Sequence, residues 1–244
     1  MDLQLNGLNA VVTGGTAGIG LAIVSTLAEE GANVWFCSRS ADRVASVEAA
    51  LADKKGTVHG AVVDVAAPGK LADWIATIDA IDIFVPNVSA ISGDWDASIN
   101  TDLRATIAGV EAVIPHLTRS PHAAITYIGS KASTFATPGF EAYGSIKAAL
   151  AHYMKSLSRK LIANGIRVNV VAPGDTYVEG GFWSHIKQNA PAVYDATIQA
   201  NPLGRLCTPE EIGRVVAFVS SPAASFIAGS NLLVDGAATA HVHG

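Results

Sequence analysis

Cysteine is nearly absent from this 244-residue chain: Cys37 and Cys207 alone cannot build a disulfide framework. Charge is also sparse. Lys, Arg, Asp and Glu supply 15% of the residues, well below the share of about 25% in average soluble proteins. Acidic residues outnumber basic ones 21 to 16, and a formal charge of −5 has the wrong sign for gathering phosphate backbones, so nucleic acid is not an expected partner. No apolar run approaches the roughly 18 residues that suggest a membrane span. Met1-Asp2-Leu3-Gln4 starts no basic-then-apolar leader, so the expected location is cytoplasmic, away from membranes. His59, His116, His122, His152 and His185 are scattered and His241-Val242-His243 is terminal, so no zinc-type spacing exists and no metal is expected. Repeats, low-complexity tracts and linkers are missing too, which leaves residues 1–244 as one expected domain.

What is present is a large apolar fraction, 50% of the residues, arranged as short β-rich runs alternating with helix-length segments. The runs Ala10–Thr13, Asn33–Cys37, Val58–Val63, Asp82–Val85, Ala123–Ile128, Arg167–Val171 and Leu232–Val234 read as strands. Several are apolar on both faces, as strands of a helix-covered parallel sheet must be. Helices are expected near Gly18–Glu30, Asp42–Lys54, Lys70–Thr77, Asp102–Leu117, Tyr143–Asn164 and Pro209–Ser220. This βαβ series implies an α/β fold with a doubly wound, Rossmann-type, seven-stranded parallel sheet, and places ligands outside the carboxyl ends of its strands. The stretch from about 175 to 208 breaks the alternation and carries Tyr177, Phe182, Trp183, Ile186 and Tyr194, so it is expected to be a substrate lid.

Directly after the first strand comes Thr13-Gly14-Gly15-Thr16-Ala17-Gly18-Ile19-Gly20. Glycines between strand and helix allow a tight turn and let main-chain N–H groups approach a pyrophosphate at the helix N-terminus. The Gly-xxx-Gly-x-Gly spacing differs from the commoner dinucleotide fingerprint, and a glycine-rich turn without a ligand is the rival reading. Further along, Tyr143 and Lys147 are separated by one helical turn and share a face, so the ammonium can favour the phenolate and bring Tyr143 toward acid/base work. Ser130 lies just past the strand Ala123–Ile128, where its hydroxyl could hold a carbonyl oxygen.

Together these motifs resemble the short-chain dehydrogenase/reductase family over nearly the whole chain, 3-oxoacyl reductases included. Besides the glycine turn and Ser130, Tyr143 and Lys147, the family pattern is met by Asp64-Val65, Arg167-Val168-Asn169-Val170-Val171-Ala172-Pro173-Gly174, Pro202-Leu203-Gly204-Arg205 and Val234-Asp235-Gly236. The resemblance implies that Tyr143 exchanges a proton with the substrate oxygen, Ser130 orients that oxygen, and Lys147 holds the nicotinamide ribose and lowers the phenol's pKa. Asp64 and Val65 would contact adenine, with Gly14, Thr16, Gly18, Ile19, Gly20, Asn87, Pro173, Gly174 and Thr176 around the rest of the cofactor. Three departures stand out. The family's Asn-Asn-Ala-Gly is Pro86-Asn87-Val88-Ser89 here, its catalytic Asn is Asp102, and its Thr after Pro-Gly falls at Val178, with Thr176 two residues early. Asp102 is then either a member of the catalytic set or simply an N-terminal helix charge.

At the end of the second strand, where an acid would pair with a ribose hydroxyl, the chain reads Ser38-Arg39-Ser40. A guanidinium fork suits a phosphate, so NADP(H) is the expected cofactor, with NAD(H) the alternative. The expected activity is hydride transfer between NADP(H) and a carbonyl/secondary alcohol pair of a mainly apolar small molecule. A 3-oxoacyl thioester reductase and a non-catalytic dinucleotide sensor are the alternatives. Dehalogenases of related fold lack the Lys and the glycines, and nucleotide-sugar epimerases need a second domain. His185 and Glu179 are candidate polar contacts, and Phe135, Ile91 and Trp95 candidate pocket residues. Small and apolar residues around the helices Asp102–Leu117 and Tyr143–Asn164, Ala148, Ala149 and Ala151 among them, lead to an expected homotetramer or homodimer.

Overall fold

The computed structural model describes residues 1–240; the terminal His241-Val242-His243 lies outside them. Seven parallel strands form the sheet in the order β3-β2-β1-β4-β5-β6-β7. They are β1 (Asn9–Thr13), β2 (Asn33–Ser38), β3 (Val58–Val62), β4 (Ile83–Val85), β5 (Ala124–Ile128), β6 (Arg167–Pro173) and β7 (Asn231–Val234). Each expected strand is present, with ends shifted by a residue or two. Strand β6 runs on to Pro173 because Ala172 and Pro173 still pair with Leu233 and Val234.

The two sheet faces are read off alternate side chains. On one face Ala10, Val12, Ala124 and Ile128 pack beneath α1 (Gly18–Glu29), α2 (Ala41–Ala50) and α9 (Pro209–Ser220). On the other, Val11, Ile125 and Tyr127 meet α3 (Lys70–Ile75), α5 (Ala105–Leu117) and α6 (Glu141–Leu161). Burial on both faces requires the near-continuous apolar runs that made these strands legible. Among the described residues no helix is long and apolar enough to cross a membrane, and no group of three metal-ligating side chains gathers.

Helical boundaries differ in instructive places. α2 stops at Ala50 rather than Lys54, because the chain must turn back for Gly56 N–H to reach the Ala28 carbonyl at 2.8 Å. The helix expected from Asp102 begins earlier, as a single turn α4 (Trp95–Ala97) capped by Asp94, continues as a π-helical stretch over Ser98–Arg104, and only then becomes α5. α6 starts at Glu141, not at Tyr143; Glu141 accepts from Gly139 N–H at 3.0 Å across that start. Residues 175–208 fold as α7 (Phe182–Asn189) and α8 (Pro191–Ala200).

Two family-like segments serve the scaffold. Arg167 is buried and donates to the carbonyls of Val219, Ser220, Ser221 and Ile227, stapling β6 to the chain beyond α9. Arg205 forms two bonds to Glu211, whose carboxylate also accepts from Thr208 N–H, completing the capping box of α9. These contacts hold the Glu211 carboxyl down at about 2, the Arg205 guanidinium contributing most.

Candidate active site

Strand order reverses between β1 and β4, and the carboxyl ends of the strands there open into a cavity of about 1170 Å³. Its wall includes Gly14, Gly18, Ile19, Gly20, Asn87, Ser130, Tyr143, Lys147, Pro173, Gly174 and Thr176, so most of the sequence candidates converge on one space.

One side of the cavity is the glycine turn. Gly14 sits at φ +73° and a side chain on it would meet Val88 Cγ2 at 2.8 Å; a Cβ on Gly20 would lie 2.1 Å from the Gly14 carbonyl. Asn87 closes the turn, donating from Nδ2 to the carbonyls of Thr13 at 3.0 Å and Gly14 at 3.3 Å. Helix α1 starts after Ala17 with no side-chain cap and no acidic residue in its first turn. Its first N–H groups therefore face the cavity without a partner from the cap, and the positive end of the helix dipole points the same way. These features fit a dinucleotide pyrophosphate.

Beside the turn, Thr16 Oγ1 donates to Ser38 Oγ at 3.0 Å, tying it to the end of β2. Arg39, next in the chain, is exposed and has no hydrogen bond or ion pair among the described residues. Asp64 is exposed and accepts from Ala66 N–H at 3.0 Å, while Val65 packs on the core beneath α3. These residues follow β2 and β3, beyond the cavity wall.

On the other side of the cavity, Ser130 caps the short helical turn Lys131–Ser133 through Ala132 N–H at 3.1 Å. Lys147 is 2% exposed; its Nζ donates to the Ile128 carbonyl at 3.0 Å and lies 5.7 Å from the Tyr143 ring centre. Burial pushes the Lys147 ammonium down to about 8, although Asp102 works in the opposite direction. Tyr143 does not behave as expected. Burial pushes its phenol up, the Ser130 hydroxyl partly offsets this, and the carboxylates of Asp102 and Asp175 add to the rise. Lys147 was expected to bring the phenol down, but it is buried itself and is offset by the Asp102 carboxylate.

Asp102 lies behind this wall rather than on it. The reading of a helix N-terminal charge is overturned: Asp102 is inside the π-helical stretch, 2% exposed, accepting from Ser89 Oγ and from Ala90 N–H at 2.8 Å. Its Oδ1 is 3.7 Å from Lys147 Nζ. Two departures from the family pattern, Ser89 and Asp102, are thus bonded to each other. Tyr127 is buried near the same lysine, its hydroxyl without a partner among the described residues and its ring centre 5.0 Å from Lys147 Nζ.

The 175–208 segment supplies Phe182, Trp183, Val193, Ala196 and Ala200 to the cavity, joined by Ile91 and Phe135. Trp95, Tyr177, Glu179 and His185 are not part of that wall. Tyr177 donates to Glu179 at 3.0 Å and packs edge-on to Tyr194, so both polar and aromatic groups are engaged within the segment. Thr176 lines the cavity but donates its hydroxyl proton to Gly174 O at 3.1 Å. Val178 instead covers the glycine turn, 3.1 Å from where a Cβ on Gly18 would lie. Lys131 and Asp175, which sequence reasoning passed over, form an ion pair within the cavity; each directly follows a motif residue, Ser130 or Gly174.

Fold and strand order define an α/β protein of the doubly wound, dinucleotide-binding class. A family profile described as enoyl-(acyl carrier protein) reductase matches residues 14–239. An isoepoxydon dehydrogenase of Penicillium expansum is 33% identical over 245 residues, covering 95% of each chain. A 3-oxoacyl-[acyl-carrier-protein] reductase, FabG, of Chlamydia pneumoniae is 32% identical over 252 residues, covering 98% of this chain and 100% of its own. The crystal structure of L-sorbose reductase from Gluconobacter frateurii, complexed with NADPH and L-sorbose, is similar at a TM-score of 0.91 and 25% identity, covering 99% of this chain and 100% of that one. The chain belongs to the short-chain dehydrogenase/reductase family of nicotinamide-dependent oxidoreductases.

Proposed function

We propose that the protein is an NADP(H)-dependent reductase of a mainly apolar ketone, with Tyr143 as the proton donor. The observation that carries this reading is the convergence of Ser130, Tyr143 and Lys147 on the same cavity as an uncapped, glycine-turned helix N-terminus. The turn Gly14, Thr16, Gly18, Ile19 and Gly20 would hold the pyrophosphate, Asn87 and Lys147 the nicotinamide ribose, Asp64 and Val65 the adenine, and Pro173, Gly174 and Thr176 the nicotinamide end. When bound, the cofactor supplies a hydride to the substrate carbon.

The residues of the chain supply the rest. Ser130 orients the carbonyl oxygen, and the Tyr143 phenol gives it a proton. A phenol whose pKa is raised by burial keeps its proton at neutral pH, which suits reduction. Lys147, still largely an ammonium below about pH 8, holds ribose hydroxyls and stabilises the phenolate left behind. Asp102 acts through Lys147, and α7 and α8 form the lid over an apolar substrate. A panel of ketones with the absorbance of NADPH as readout tests the reading; binding of NADPH without turnover of any ketone would favour the sensor alternative. The similarity to FabG supports a 3-oxoacyl thioester as a second substrate type, so an acetoacetyl thioester belongs in the panel.

Cofactor choice rests on Arg39. Its fork is exposed, with no hydrogen bond or ion pair among the described residues, and it directly precedes Ser40, the cap of α2. The NADPH-bound relative supports the same choice. Wild type is expected to show a higher kcat/KM with NADPH than with NADH, and Arg39→Ala to reduce that ratio about tenfold or more, the loss of one charge-assisted phosphate contact. An unchanged ratio would contradict the assignment.

Self-association of the chain is supported by Ala108 on α5 and Ala149 on α6, small residues exposed on the outer sides of those helices.

A further inference from the structure

Most of the cavity wall beyond Ser130 and Tyr143 is apolar, formed by Ile91, Phe135, Phe140, Phe182, Trp183 and Val193. Besides Lys147, an ion pair interrupts it: Lys131, after Ser130, pairs with Asp175, after Gly174, across the gap between the ends of β5 and β6. Both side chains are mostly withdrawn from solvent, at 19% and 17% exposure. Among the described residues Lys131 Nζ hydrogen-bonds to Asp175 Oδ2 alone and lies 5.8 Å from the Phe135 ring centre, and Asp175 Oδ1 accepts no bond there. An ammonium with free protons thus sits next to a carboxylate oxygen with free lone pairs. Lys131 directly follows Ser130 in the chain, and Ser130, Lys131, Tyr143 and Asp175 all line the same cavity.

We propose that Lys131 and Asp175 form a charge-neutral polar subsite that selects ketones carrying a hydroxyl group beside the carbonyl. This rests on the reductase reading above and names the substrate class of that site. A carboxylate or phosphate on the substrate would accept from Lys131 only against the repulsion of Asp175, and an ammonium would donate to Asp175 only against the repulsion of Lys131. A neutral hydroxyl meets neither repulsion: it donates to Asp175 Oδ1 while accepting from Lys131 Nζ. Beside the apolar side chains of this cavity, two such bonds to charged partners discriminate strongly against a substrate that cannot make both.

The test compares α-hydroxyacetophenone with α-methoxyacetophenone, which keeps the oxygen but cannot donate. With NADPH, wild type is expected to prefer the hydroxyketone in kcat/KM by about ten- to hundredfold, the factor expected for a hydrogen bond to a charged group. Asp175→Asn and Lys131→Gln should each bring the ratio of the two toward that of the other variant and toward one. Differences in intrinsic carbonyl reactivity are common to all three proteins and cancel in this comparison. A wild-type ratio no higher than that of the two variants, whatever its value, overturns the proposal. Calorimetric binding of the corresponding diol and its methyl ether to the NADPH complex, in which both partners are already reduced and no hydride can pass, reads the same subsite without turnover; equal affinities would also overturn it. Failure of every ketone to react, with the diol still bound more tightly than its ether, would instead remove the reductase reading and leave the subsite standing.

Discussion

Tyr143→Phe is expected to lower kcat for ketone reduction by roughly 10²- to 10⁴-fold, the range contributed by a positioned general acid. The substitution removes only the hydroxyl oxygen from a ring held at the cavity wall by α6. NADPH binding should persist, as measured by the fluorescence of the bound cofactor, because the glycine turn and the end of β2 are untouched. A variant that reduces ketones at the parental rate would show that the proton comes from elsewhere.

The second large effect is expected at Asp102. Facing Lys147 Nζ are the Asp102 carboxylate at 3.7 Å, the Ile128 carbonyl, and the rings of Tyr127 and Tyr143. Asp102 is the anion that opposes the effect of burial on this ammonium. The reductive kcat/KM should therefore fall as pH rises through about 8, where Lys147 loses its proton. In Asp102→Asn the opposing charge is gone, Lys147 deprotonates more easily, and the falling limb should move to lower pH. Asp102→Leu also removes the acceptor for Ser89 and Ala90, and each buried donor left without a partner costs about 1–3 kcal/mol. Urea denaturation of the two variants separates the effects: Leu should lose stability and activity, while Asn should retain most of the fold with a shifted pH profile. An Asn variant whose limb stays in place would show that Asp102 has only a packing role.

How far the sequence can be read depends on the range of the interactions concerned. The strands were legible because burial on both sheet faces writes itself into consecutive residues, as in Ala10-Val11-Val12 and Ala124-Ile125-Thr126. The glycine turn was legible from its spacing within eight residues, although some of the groups that crowd it, Val88 at Gly14 and Val178 at Gly18, come from far along the chain. Asp102 was not. Its burial depends on Ser89, Ala90 and Lys147, brought together from three segments, and the π-helical stretch that turns it inward has no periodic signature. The Lys131 and Asp175 pair spans 44 residues and joins two loops, so neither residue announces its partner. Arg167 shows the converse. It sits in a motif matched to the family, yet its guanidinium serves four main-chain carbonyls and does no chemistry at the site.

The transfer itself can be followed by isotope. NADPH carrying deuterium at the reactive ring carbon would be incubated with the protein and α-hydroxyacetophenone, and the alcohol product analysed by mass spectrometry and NMR. Deuterium on the carbinol carbon, delivered to one face only and lost with the Tyr143→Phe variant, is the expected result. An alcohol product without deuterium, or no alcohol from any ketone while NADPH is bound, would contradict it.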